Sequence, residues 1–88
     1  MSDNKDTRTM LDKSRDIISQ LREMEHYSQD NIEKLSEFWF QLDDDLKLDS
    51  QADAVNELLK LQNAFQEKIS STISDYEIEC NRIENEET

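Results

Sequence analysis

Glycine and proline are both absent from these 88 residues, and there is a single cysteine. Strand-joining hairpins draw on Gly, Asn-Gly and Pro-bearing turns, so a β architecture lacks its usual joints and nothing interrupts a long helix. One Cys cannot close an intramolecular disulfide, so nothing demands an oxidising compartment. No apolar run is long enough to cross a bilayer, and no signal-peptide apolar region stands near the N-terminus. The expected location is the cytoplasm, with secretion that uses no cleaved signal leaving the same blank. Positive charge is scarce as well. Ten Lys and Arg against 22 Asp and Glu give a net charge of −12. That balance disfavours direct binding to nucleic-acid phosphates or to an anionic membrane, and suits a basic partner.

What the chain has is charge and period. Hydrophobic residues are 34% of it and charged residues 36%, a composition that sustained apolar periodicity separates from disorder. Thr9 with Asp12 reads as a capping box, with Thr7 as an alternative cap. A stripe of Met10, Leu11, Ile17, Ile18, Leu21, Met24, Ile32, Leu35, Phe38, Trp39 and Leu42 follows at helical spacing, with Ser14, Ser28 and Asn31 as polar gaps. A second stripe runs Val55, Leu58, Leu59, Phe65, Ile69, Ile73, Tyr76, Cys80 and Ile83, with Gln62 and Thr72 as gaps. Leu58, Ile69 and Cys80 stand eleven apart, a period close to a straight helix.

Between the stripes lie Asp43, Asp44 and Asp45, unfavourable at a helix C-terminus, and then Ser50 with Asp53, which reads as an N-cap box. The expected fold is all-α: two long antiparallel helices in a coiled-coil-like helical hairpin, completed to a bundle by dimerisation or by a partner. It forms one domain over 1–88, with helix 1 at about 8–44, a turn at about 45–50 and helix 2 at about 51–85. Residues 1–6 and the tail Glu84–Thr88 are expected to fray. Folding back pairs Leu21 with Ile73, Ser28 with Phe65, Ile17 with Tyr76 and Met10 with Ile83. Charge supports the antiparallel sense. Residues 1–22 carry a net +1 and residues 58–88 a net −4, which sets Arg8, Lys13 and Arg15 beside Glu77, Glu79 and Glu84.

Candidate chemistry is thin. Glu23 and His26 have the Glu-x-x-His spacing of di-iron bundles, but such a site needs two of these motifs and the chain has one His. Asp43, Asp45 and Asp49 invite a calcium-loop reading, which fails at Lys47, Leu48 and Ala54, where a third acidic ligand, a Gly and a Glu belong. Cys80 and His26 fall on different helices, many turns apart, too far for a nucleophile and its base. No enzymatic activity, cofactor or metal site is expected, and Cys80 reads as a small core residue.

The remaining signal is at the turn. Residues 23–57 carry a net −9, and the same end is over-supplied with apolar side chains. Phe38, Trp39 and Phe40 are consecutive, so they cannot all face one seam; Leu46 sits in the turn and Leu61 flanks the second stripe. Phe38, Trp39, Phe40, Leu46, Leu61, Asp43, Asp44 and Asp45 are therefore the expected partner-binding residues, the aromatics as anchors and the acids as steering charge, with core that caps the end of the hairpin as the other reading of the three aromatics. The expected function is a non-enzymatic protein–protein interaction module, a small acidic adaptor, chaperone or assembly subunit. Its expected partner is a helical or basic protein, or a second copy in a homodimer. In length, and in a Trp at the turn, the chain is similar to the WXG100 family of small secreted helical hairpins. The likeness ends at Trp39: the family's Gly two residues on is Gln41, and the acid of its export signal, four after Tyr76, is Cys80. A different reading of the same acidity is a decoy that presents carboxylates where nucleic-acid phosphates would lie.

Overall fold

A computed structural model describes residues Ser2 to Glu87, with side chains from Asp6 to Glu86. Helix α1 runs Ser2–Phe40 and continues as one wide π turn over Gln41–Asp45; helix α2 runs Asp49–Glu87. The two lie side by side in a rod of 67 × 15 × 14 Å, the length expected of ~45 residues at 1.5 Å each. The expected antiparallel helical hairpin is therefore the fold.

Its boundaries differ from those expected, each for a local reason. With no Gly or Pro to stop it, α1 starts at Ser2 and passes straight through the Thr7–Asp12 region, so neither threonine caps it. The turn is only Leu46, Lys47 and Leu48. The N–H groups of Leu46 and Leu48 donate to the carbonyls of Gln41 and Leu42, both at 2.9 Å, and close the end of α1. The Ala52 N–H donates to the Leu48 carbonyl at 2.9 Å, which makes Leu48 the first residue of the α2 cap and puts Ser50 inside the helix. Reversal falls on Lys47, at φ 55°. Asp49 brings favourable negative charge to the start of α2. The expected fraying of the tail is not seen through Glu87; Thr88 and Met1 lie outside the described residues.

The seam also differs. Its buried and half-buried residues on α1 are Leu11, Ser14, Ile18, Leu21, Glu25, Ser28, Ile32, Leu35 and Leu42, in alternating steps of three and four, with Trp39 at the rim completing the series. On α2 they are Ala52, Val55, Leu59, Gln62, Gln66, Ile69, Ile73, Tyr76, Cys80 and Ile83, in the same alternation. This is the seven-residue repeat of a left-handed coiled coil, not the eleven-residue spacing. Leu58, counted in the eleven-residue series, is exposed. The core proper is Leu11, Ile18, Ile69, Ile73 and Cys80, with Leu21, Tyr76 and Ile83 packed against it, all toward the open end. The pairing of Leu21 with Ile73 agrees with this cluster. Tyr76 donates its hydroxyl to Ser14 at 2.8 Å, the large residue against the small one that the register places near it, while Ile17 is exposed. One expected pair shifts, Gln62 donating its amide to Ser28 at 2.8 Å where Phe65 was expected.

Candidate functional site: an apolar edge

An antiparallel hairpin has two long edges flanking its seam, and here they differ in kind. One edge carries Arg15 and Arg22 on α1 facing Glu84 and Glu77 on α2. Arg15 reaches Glu84 at 3.0 Å, and Arg22 is bonded to Glu77. Opposite charges on the two helices thus hold the antiparallel sense. The pairing differs in detail from expectation, because Arg82 on the same helix takes Glu79. Arg82 donates to Glu79 and also to Glu86 at 2.7 Å. The hydrogen bond from Arg82, helped by its charge, holds the Glu79 carboxyl below the usual range, and the same bond raises Arg82.

The other edge is apolar. Met24, Tyr27, Phe38, Leu58, Leu61 and Phe65, with Ser28, Asn31, Lys34, Leu35 and Gln62, line an open groove of about 690 Å³. Its cause is legible residue by residue. In the middle of the hairpin the seam positions are polar: Glu25, Ser28, Gln62 and Gln66. In each case the residue one step earlier is large and apolar: Met24, Tyr27, Leu61 and Phe65. One step is ~100° about the helix axis, which carries the apolar side chain out of the seam and onto the edge. Hydrophobic surface that would bind the two helices to each other is thereby turned outward. Ser28 is only 2% exposed and Leu61 is 68% exposed.

The chain's acids avoid this edge. The two rows that form it on α1 step from Met10 to Gln41 through Lys13, Ile17, Gln20, Met24, Tyr27, Asn31, Lys34 and Phe38. On α2 they step from Gln51 to Thr72 through Ala54, Leu58, Leu61, Phe65 and Lys68. Neither set contains an Asp or Glu, in a chain with 22 of them. Immediately behind the α1 rows, Asp16, Glu23, Asp30, Glu37 and Asp44 stand seven apart in an unbroken acidic row. Beyond Thr72 the edge ends in Asp75, Glu79 and Arg82.

Of the expected partner-binding residues, Phe38 and Leu61 meet in this groove. The other aromatics go elsewhere. Trp39 takes a seam position at its rim, and Phe40 turns to the far side, into a shallow hollow with Ser36, Glu37, Gln41 and Asp45. Leu46 is exposed in the turn, and Asp43 and Asp44 face solvent away from the groove. The eight residues are thus not one patch. Met24, Leu58 and Phe65, read from sequence as seam residues, belong to the edge instead, together with Tyr27. Stepping the seam strictly by seven, from Leu11 and Ser14 on α1 and from Ala52 and Val55 on α2, would have found them.

Elsewhere, His26 lies 3.8 Å from Asp30 on the exposed side of α1. Among the described residues no three His, Cys, Asp or Glu side chains are arranged to hold a metal ion. Cys80 is buried in the core with its thiol free. No described helix is long and apolar enough to cross a membrane. No protein-family model matches this chain, and neither a curated protein nor a solved structure is detectably similar to it.

Proposed function

We propose that the chain is a non-enzymatic protein–protein interaction module, a rod-shaped adaptor or assembly subunit that docks a helical partner along its apolar edge. One observation carries this reading: across the middle of the hairpin the large apolar side chains stand one step outside the seam, on an edge from which acids are excluded. A chain selected only to fold as a hairpin would place Met24, Leu61 and Phe65 where Glu25, Gln62 and Gln66 now are. An amphipathic helix laid into such a groove buries its apolar face and leaves its polar face in water, a standard helix-in-groove arrangement. The aromatic and Met lining is the composition of binding anchors.

The test uses the chain at its native abundance in host extract. By size-exclusion with light scattering it is expected in a species heavier than its own 10.5 kDa. A Met24→Glu/Leu61→Glu variant is expected as the free hairpin with unchanged helical circular dichroism, since both residues are exposed in the isolated fold. Equal mass for the two chains would overturn the reading.

A further inference from the structure

We infer, resting on the docking reading above, that the occupant of the apolar edge is a second copy of this chain, turned end for end about a twofold axis through Asn31 and Leu61. A twofold interface must be complementary to itself, each residue meeting its mirror position on the other copy. The groove has that symmetry along the rod. Met24 and Phe38 stand seven residues on either side of Asn31, and Leu58 and Phe65 stand three and four on either side of Leu61. End-for-end pairing sets Met24 against Phe38 and Leu58 against Phe65, an adaptable side chain against a flat one in each case. Leu61, the most exposed of the large apolar side chains, meets its own copy at the axis. Asn31 meets Asn31, and two side-chain amides can donate to and accept from each other. A single polar residue in a helical interface is a known register device.

Charge selects the end-for-end sense over the alternative. With both turns at one end, Asp43, Asp44, Asp45, Asp49 and Asp53 of one copy would stand beside the same residues of the other. End for end, the acidic turn lies level with residues 13–22 of the second copy, which carry Lys13, Arg15 and Arg22 against Asp16, and with the stretch of α2 packed on them, which carries Asp75, Glu77 and Glu79. Arg15 and Arg22 are engaged with Glu84 and Glu77, and the acids meet a mixed surface of net −1 instead of a second acidic turn. Lys34, which lines the groove, falls level with Ser28 of the second copy, beside Asp30 in the acidic row. A basic partner is a poorer fit, because the stretch of edge that lines the groove offers Lys34 and no acid.

A compact protein of this mass exposes about 5,400 Å², whereas this rod exposes 6760 Å². The shape thus leaves about 1,300 Å² more in water than a compact fold would, and a standard interface covers ~800 Å² per partner. The product is a four-helix bundle over the middle of two overlapping rods.

Light scattering of the purified full chain, followed by pulsed electron spin resonance distances, tests this. In a Cys80→Ala background, single labels at Asp16→Cys should report about 45 Å between copies and at Asp44→Cys about 40 Å, at 1.5 Å per residue from the axis. A mixture of the two labelled chains should add a short distance, under about 25 Å. Leu61→Glu should convert the dimer to monomer with its helicity intact. Short distances in the singly labelled samples would mean turns side by side, and would overturn the end-for-end arrangement. A dimer indifferent to Leu61→Glu would overturn the edge as its interface. A purified monomer at 100 μM overturns the second copy as occupant. In that last case, a heavier species in host extract that the edge variant loses would keep the docking reading alive, and equal masses there would end both.

Discussion

At the scale of single residues, the seam mixes two kinds of polar side chain with different consequences. Ser14 and Ser28 are buried and satisfied, each accepting a hydrogen bond from the opposite helix. Those two bonds fix the register, because sliding one helix past the other breaks both. Gln66 is different: its side-chain carbonyl oxygen is buried and accepts no hydrogen bond from any described group. A buried acceptor left unmade costs about 1–3 kcal/mol. Gln66→Leu is therefore expected to stabilise the hairpin by about 1 kcal/mol or more, read as a rise in the urea midpoint at unchanged slope. A loss of stability would mean that Gln66 has a partner that the isolated hairpin does not show.

At the scale of elements, the turn explains itself through what the chain lacks. A helix that ends and reverses in three residues needs one in the left-handed region, and such positions usually take Gly or Asn. This chain contains no Gly, and Lys47 occupies the position at φ 55°, at a cost of roughly 1–2 kcal/mol. Lys47→Gly removes that strain and gives back part of it as unfolded-chain freedom. The expected net gain is about 0.5–1 kcal/mol, a melting rise of a few degrees for a domain this size. A drop in melting temperature would show that the Lys47 side chain does more for the turn than its backbone costs. The helices themselves were legible from the sequence because two long periodic stretches without Gly or Pro admit little else. Their ends were not. Thr9 and Ser50 are good caps in isolation, yet neighbouring helical turns simply continued through them. The edge was missed for a related reason. Following hydrophobic residues led to Met24, to both Leu58 and Leu59, and to Phe65, whereas the geometric repeat led to Glu25, to Leu59 alone and to Gln66. In a helix that has to serve two interfaces, apolar periodicity reports the sum of both.

At the scale of the whole molecule, the hairpin is a rod without a second layer, and its core is a single line of side chains toward the open end. Ordering each residue costs ~1–2 kcal/mol of backbone entropy, so burial along the apolar edge should add visibly to stability. If a second copy supplies it, the melting temperature rises with protein concentration. Salt then separates this arrangement from the decoy reading of the same acidity. Two bodies of charge −12 repel over the whole rod, and this repulsion reaches ~30 Å at 10 mM salt but only ~8 Å at 150 mM. The local attraction of the acidic turn for Lys13 is weakened too, but it involves far fewer charges than the repulsion does. Self-association should therefore tighten severalfold between 10 and 150 mM salt, as measured by sedimentation equilibrium. A decoy that presents carboxylates to a basic nucleic-acid-binding protein behaves the opposite way, its binding to that protein falling steeply over the same range. Association of the purified chain that loosens as salt rises would mean that charge attraction, rather than the burial of Met24, Phe38, Leu58, Leu61 and Phe65, holds the copies together.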